Sequence, residues 1–445
     1  MDEVVELLQH LIRNACVNDG TPESGQEVRN ASLLRDYLEG PGLDFETYEP
    51  VPGRTSLVTR IEGTDPSAPT LCLMGHTDVV PVTPEGWRRD PFGGELVDGE
   101  VWGRGAIDML NLTASMAVAF KGLARNGYRP KGTLIYFAVA DEEASGTHGA
   151  EWVTEHEYDA VRSDFVLTES GGITMPGGED GPKVTVTIAE KGVAWRRLRI
   201  TGTPGHGSMP FGTDNAVVKA AEIVRRLVAF RPHVAVTDTW KLFASALGPP
   251  PPPETTVGLL DPARVDDTLT TMDDPRLAKL AHACTHMTFS PNVILGGVKT
   301  NVIPDVVDLD VDIRTLPGET SADVERNLAD AIGPGLMSSV TVEVLHAGEA
   351  TASPMHTPLW DALGRAVGSF TPWANGLVPR MTAGGTDARF FRGKGATAYG
   401  FGLFTPAMTT SEFATRFHGN DERVDVESLL LTTQMWTSVV HDLLD

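Results

Sequence analysis

The sequence predicts an α/β fold: a domain with a mostly parallel central sheet flanked by helices, and a smaller α+β domain inserted into it. Three observations support this. Short apolar runs at 70–76, 133–140 and 164–168 have the length of buried strands, and helical stretches at 112–125 and 149–157 alternate with them. A second alternation of strand-like and helix-like segments runs from 192 to 352. Finally, 445 residues exceed what one ordinary core supports. The expected division is 1–191 and 353–445 as one domain, with 192–352 as the insertion.

Taken in order, the chain starts with an amphipathic helix, because Val4, Leu7, Leu8 and Leu11 fall on one helical face. A Gly/Pro/Glu stretch at 176–182 breaks the first domain before the alternating segment Val184–Ile188. The inserted unit reads as strand 195–201, helix 215–230, strands 293–297 and 306–314, helix 321–332 and strand 340–345. Within it, 232–290 reads as irregular and includes the run Pro249–Pro253, which is polyproline-like and rigid. This stretch reads as a surface spacer, with walling a pocket or covering a sheet edge as alternatives. The last ~90 residues carry glycine-rich turns and close with a helix from Val426 to Leu444.

A formal net charge of -24 makes the surface repel nucleic acid and anionic membranes, so neither is an expected partner. The cysteines Cys16, Cys72 and Cys284 are scattered and offer neither a CxxC pair nor a disulfide framework. The acidic N-terminus lacks the basic start and apolar core of a signal peptide. No apolar run is long enough to span a bilayer. A cytoplasmic protein is the expectation.

Chemistry-bearing residues fall just after the apolar runs, where a parallel-sheet enzyme keeps its site. His76 and Asp78 follow Leu-Cys-Leu-Met-Gly, Glu142 and Glu143 follow the run ending at Asp141, and Glu169 follows Phe-Val-Leu-Thr. Asp108 closes the turn Gly-Arg-Gly-Ala-Ile before a helix, and His418 lies between Phe417 and Gly419. Histidines and carboxylates without thiolates suit a hydrolytic zinc or cobalt site, and a spare adjacent glutamate suits a general base. Taken singly, each has an ordinary reading: a turn His-x-Asp, a charged strand end, a loop carboxylate, a core histidine. The Gly-Arg-Gly turn lacks the Lys-Ser/Thr of a phosphate loop, which argues against nucleotide binding.

Nine motifs in one order change that balance. They are Gly75-His76-Thr-Asp78-Val-Val-Pro81, Trp102-Gly-Arg-Gly-Ala-Ile-Asp108-Met109, Ala140-Asp141-Glu142-Glu143, Glu169-Ser-Gly-Gly, Gly205-His206-Gly-Ser-Met-Pro210, Asn301-Val-Ile-Pro-Asp305, Asp312-Ile-Arg314, Gly384-Gly-Thr-Asp387 and His418-Gly-Asn-Asp-Glu422. Across nearly the whole chain they resemble the M20 family of metallopeptidases and amidohydrolases, which includes carboxypeptidases, aminoacylases and dipeptidases.

The resemblance implies two divalent metal ions, zinc or cobalt. Asp108 would bridge them, His76 and Glu169 would hold one, and Glu143 and His418 the other. Asp78 would orient His76, and Glu142 would be the general acid/base. The family often has a cis peptide after the bridging aspartate, here Asp108–Met109. The inserted domain would be a lid and dimerisation domain. Its His206 would reach the partner subunit's site, and Asn301, Arg314 and Thr386 would bind substrate. Arg314 suits a carboxylate, which guanidinium meets bidentately. Where the family commonly continues Asp-Met-Lys-Gly, this chain has Asp108-Met109-Leu110-Asn111. The long lid, with its motifs, is most like the branch that cleaves N-acyl amino acids or dipeptides with a free carboxylate. The implied protein is a homodimeric amide hydrolase acting on a small molecule or short peptide. The competing expectation is a non-catalytic peptide- or amino-acid-binding protein on the same fold.

Overall fold

The computed structural model describes residues 2–40, 42–247 and 253–445. Its larger sheet runs, in spatial order, Phe45–Tyr48, Ser56–Ile61, Leu134–Val139, Leu71–His76, Phe165–Thr168, Thr397–Gly400, Lys183–Glu190 and Thr351–Ala352. Leu377–Thr382 and Gly171–Met175 also pair with Lys183–Glu190. The centre is parallel: Leu71–His76 pairs in parallel with both Leu134–Val139 and Phe165–Thr168, and Phe165–Thr168 pairs in parallel with Thr397–Gly400. The predicted runs at 70–76, 133–140 and 164–168 are therefore adjacent, with every residue of Leu71–His76 and Leu134–Val139 buried. That is the burial expected of strands with helices on both faces.

Helices Leu110–Arg125 and Val426–Leu444 pack against each other on this sheet. Trp436 is fully buried between them, its Nε1 donating to Ser115 Oγ at 2.9 Å. Val4, Leu7, Leu8 and Leu11 of the first helix, Glu3–Arg13, are all buried in the same core. Among the described residues no helix is long and apolar enough to cross a membrane.

The smaller sheet is antiparallel, with the order Thr288–Gly296, Val306–Thr315, Gly192–Thr201, Val340–Gly348. Strict alternation along Val306–Thr315 puts Val307, Leu309, Val311 and Ile313 on one face. Helices Ala216–Ala229 and Ser321–Ile332 cover that face through Ala220, Ile223, Leu227, Val324 and Leu328. The opposite face carries a ladder of ion pairs, Arg199–Asp308, Arg197–Asp310 and Arg314–Asp312.

The segment 232–290 differs from the sequence reading. Among its described residues are four helices, Asp238–Ser245, Pro253–Leu260, Val265–Thr271 and Pro275–Thr285. Each is 7 to 11 residues long, too short to present a clear helical period. Their ends are nonetheless chemically marked. The Thr237 side chain accepts from Trp240 N, and Asp274, followed by Pro275, accepts from Arg276 N and Leu277 N. Nor is the segment a surface spacer: Trp240, Phe243, Ala244, Leu259, Ala281 and Cys284 join the core of the larger domain. Of the proline run, residues 249–252 lie outside the described residues, and Pro253 opens a helix.

This packing is testable. Trp240 is 2% exposed and its Nε1 donates to Leu259 O at 2.9 Å. Trp240→Ala should destabilise the folded chain by about 3–5 kcal/mol, read from denaturant unfolding. A spacer tryptophan would shift the midpoint hardly at all.

Candidate metal centre

The parallel strands end at the site. His76 is the last residue of Leu71–His76, and Glu169 follows Phe165–Thr168 on the adjacent strand. Main-chain pairing of these strands fixes how far apart the two side chains begin. His76 is buried, with Nε2 3.1 Å from Asp108 Oδ1 and 4.0 Å from Glu169 Oε2. Its other ring nitrogen, Nδ1, faces the Asp78 main-chain oxygen at 3.0 Å and the Asp78 carboxylate at 3.5 Å. Nε2 is thus left turned toward Asp108 and Glu169.

Asp141, two residues past the buried strand Leu134–Val139, adopts a left-handed backbone with φ 71°, and the chain then turns through Glu142 and Glu143. Glu143 Oε2 lies 3.4 Å from His418 Nε2, which in turn lies 2.8 Å from Asp108 Oδ2. Two groups of donor atoms result, His76–Asp108–Glu169 and Asp108–Glu143–His418, each with all atoms within 4.8 Å of one another. Asp108 belongs to both. The peptide Asp108–Met109 is cis.

Burial dominates the electrostatics. It pushes Glu142 up to about 7 and Glu143 up to about 8, with Asp108 adding to the rise in both. Burial, reinforced by Glu142 and Asp108, raises Glu169 well above the carboxylate range. For Asp108 burial also acts upward, but hydrogen bonds with His418 and His76 outweigh it and hold the carboxyl low. The same contacts overcome burial in the histidines, raising His76 and taking His418 to about 10.

Within this cluster, among the described residues, the only cationic partners for the acids are the two imidazoles, His76 and His418. Glu143 Oε1 is buried with no hydrogen-bond partner within the protein. Imidazole and carboxylate donors in two groups of three, sharing one carboxylate, fit two divalent ions of the zinc or cobalt type.

The remaining sequence candidates lie elsewhere. His206, on the short strand Gly205–His206, pairs with Val302–Ile303, and Gly207 N donates to Asn301 O at 2.9 Å. His206 and Asn301 are therefore neighbours, and both are exposed. Arg314 is half-buried, and its Nε donates to Asp312 Oδ1 at 2.8 Å. Thr386 is buried, and both its amide and hydroxyl donate to Glu190 Oε2, at 2.6 and 2.7 Å. Thr386 is thus engaged within the protein, and Arg314 is partly so through Nε and Nη2. None of the four makes a hydrogen bond or ion pair with the donor cluster among the described residues.

Sequence reasoning missed a buried layer behind the site. Asn18 Nδ2 donates to Asp78 Oδ2 at 2.8 Å and to Asp141 Oδ1 at 3.2 Å. Arg54 pairs with Glu27 at 2.8 Å and with Asp141 at 3.3 Å. Glu143 N donates to Asp78 Oδ2 at 3.0 Å, which links this network to the Glu142–Glu143 turn. Asp387, buried beside that turn, has no hydrogen-bond partner on either oxygen, and the Coulombic effect of Glu142 adds to the burial that raises its pKa. No local pattern marks Asn18, Glu27 and Arg54, because their partners are distant in sequence, whereas Asp78, Asp141 and Asp387 fall within the quoted motifs. The one available signal was charge inside otherwise apolar surroundings, visible only after folding.

Comparison with known proteins identifies the family and the fold. The model of peptidase family M20/M25/M40 matches residues 72–442. Aminoacylase-1 of Sus scrofa is 28% identical over 429 residues, covering 95% of this chain and 91% of that protein. The N-fatty-acyl-amino acid synthase/hydrolase PM20D1 of Xenopus tropicalis is 26% identical over 460 residues, covering 99% and 86%. Among solved structures, an M20 family metallo-carboxypeptidase of Sulfolobus solfataricus superposes with a TM-score of 0.73 at 16% identity, covering 100% of this chain and 99% of that one.

The shared carboxylate makes a specific prediction for the chelated and re-titrated protein. His76→Ala and His418→Ala should each weaken one ion, by about 10-fold or more, while Asp108→Ala should weaken both. Calorimetric titration with zinc or cobalt reads this directly. Two tight ions in Asp108→Ala would refute the sharing.

Proposed function

The chain belongs to peptidase family M20/M25/M40, and from that premise we propose a two-metal hydrolase that cuts the amide bond of N-acyl amino acids or short peptides with a free carboxylate. The observation that carries the reading is Glu142, a carboxylate beside two donor groups that share Asp108 and not itself needed by either. The aminoacyl branch is favoured by similarity to aminoacylase-1 along nearly the full length of both chains.

In this reading His76, Asp108 and Glu169 hold one ion, and Asp108, Glu143 and His418 the other, as zinc or cobalt. Bound there, the ions supply Lewis acidity to the attacking water and to the amide carbonyl. Glu142 takes a proton from the attacking water at a carboxylate oxygen and returns it to the leaving nitrogen. Asp78 keeps His76 oriented through Nδ1. Arg314 and Asn301 receive the substrate carboxylate. Asp312 holds the guanidinium of Arg314 and also accepts from Trp195 Nε1 at 2.9 Å, which leaves part of the Arg314 fork for a ligand. Thr386 fixes the pocket wall through Glu190.

We further propose that 192–352 is the lid and dimerisation domain. Thr288–Gly296 is an edge strand with Val293, Ile294 and Leu295 exposed, flanked by the exposed Val217, Val218 and Val228 of helix Ala216–Ala229. An open apolar edge of this kind is suited to pairing with a second copy. His206 then acts on the partner subunit's substrate, donating to the developing oxyanion. A cytoplasmic setting is in keeping with three cysteines that are all buried and free.

Two experiments test this. Glu142→Gln should retain both ions and near-normal substrate binding but lose about 100-fold or more in kcat on N-acetyl amino acids, because an amide cannot accept the proton. Turnover within a few-fold of wild type would overturn the assignment. For the dimer, His206→Ala and Glu142→Ala homodimers should be nearly inactive. Mixed after exchange is verified with tagged chains, about half the dimers are hybrids with one complete site, so roughly a quarter of wild-type activity should return. Verified hybrids without recovery would mean that His206 does not serve the partner.

A further inference from the structure

The two donor groups are held in different ways. His76 and Glu169 sit at the ends of hydrogen-bonded neighbouring strands. His418 belongs to no strand or helix. It has φ 55° and Asp421 has φ 57°, both left-handed and disfavoured for residues other than glycine. Something must therefore hold the loop 417–422 against the Asp108 turn.

The Glu422 side chain is 0% exposed and meets four donors from that turn. Its Oε1 accepts from Ile107 N at 2.6 Å and from Asp108 N at 3.0 Å, and its Oε2 accepts from Arg104 Nη1 at 2.6 Å and from Gly105 N at 3.2 Å. In return Arg104 Nη2 donates to the His418 main-chain oxygen at 3.3 Å. Gly103 N donates to Glu422 O at 2.9 Å. The contact is reciprocal: the His418 loop sends a carboxylate into the Asp108 turn, and that turn sends a guanidinium to the His418 loop. A carboxylate accepting three main-chain amides of one turn fixes its curvature, and a guanidinium has enough donors to serve two acceptors at once.

We infer that the Arg104–Glu422 pair is a clasp that sets the spacing of Asp108 and His418, and so governs the ion held by Asp108, Glu143 and His418 far more than the one held by His76, Asp108 and Glu169. Arg104 and Glu422 are positioning residues, since each acts through the loops it joins. The inference rests on the reading of the cluster as a two-ion site. It goes further in assigning the two ions different supports, the sheet for one and a buried ion pair for the other.

The test uses the full chain, stripped with a chelator and titrated with Co²⁺, with stoichiometry and affinity read by calorimetry and by the visible absorption of the bound cobalt. Wild type should take two ions. Glu422→Gln, which puts an amide NH₂ against donors, should keep one tight ion and weaken the other about 10-fold or more. Arg104→Lys should do so in milder form, because a single ammonium cannot span Glu422 and the His418 carbonyl. Adding His418→Ala to Glu422→Gln should remove little further affinity, whereas adding His76→Ala should abolish the remaining tight ion. Two ions of wild-type affinity in both single variants overturn the clasp, as does equal weakening of both ions in a protein whose circular dichroism is unchanged. If Glu422→Gln does not fold, Arg104→Lys alone carries the same comparison. Fewer than two ions in wild type would instead defeat the two-ion reading, separately from the clasp.

Discussion

The structure is organised around the desolvation of acidic groups. Asp78, Asp108, Asp141, Glu169, Asp387 and Glu422 are all buried, and Glu142 and Glu143 are partly so. A buried carboxylate is costly unless it is paired, hydrogen-bonded or protonated. Each of those three outcomes occurs. Glu422 is paired and bonded to main-chain amides, while Asp108 is held low by two histidines. Glu142, Glu143 and Glu169 are driven toward the neutral form. Divalent ions would invert this last group, because a cation at a donor cluster favours the charged acids and the neutral imidazoles. The protein thus concentrates unfavourable charge where a bound cation would relieve it.

That concentration needs support beyond the donors themselves. Three members of the Asn18–Glu27–Arg54–Asp141 network, Asn18, Glu27 and Arg54, come from the first 54 residues, ahead of the region that matches the family model. It reaches the site through Asp78, which takes one hydrogen bond from Asn18 and one from Glu143 N. Removing a member would leave another charge buried and unpaired, a larger penalty than the loss of one hydrogen bond. The N-terminal helix just before this network packs its apolar face into the core of the larger sheet.

How much of this was legible in the sequence depended on range. The strands at 70–76, 133–140 and 164–168 were readable because a buried parallel strand is a bare apolar run, and the helix Val426–Leu444 because it is long. The donors could be picked out because they follow such runs and because their order resembles one family. The strands Phe45–Tyr48 and Ser56–Ile61 were missed. The first exposes two of its four residues, and the second ends on the charged Arg60 and an isoleucine, so neither gives a clean signal. The four short helices of 232–290 were missed because each completes only two or three turns. Thr386 was read as a donor to ligand when its partner, Glu190, lies nearly 200 residues away; a single sequence carries no trace of such a pairing.

Glu190 and Lys191 explain how that insertion bears on the site. They are consecutive, both buried, and point to opposite sides of the chain as it leaves the large sheet for the small one. Glu190 takes Thr386 on one side and pairs with Arg392 at 3.3 Å. Lys191 Nζ donates to Ala283 O at 2.8 Å and His286 O at 2.6 Å, at the carboxyl end of helix Pro275–Thr285, where the helix dipole favours a cation. The next residue must be glycine: a Cβ on Gly192 would lie 2.4 Å from Thr315 Oγ1 and 2.5 Å from Ala350 N. The junction between the two sheets is therefore pinned by an acid facing one domain, a base facing the inserted helices, and a close main-chain approach between them. Those helices are embedded in the larger core, so Lys191 ties the start of the small sheet to that core.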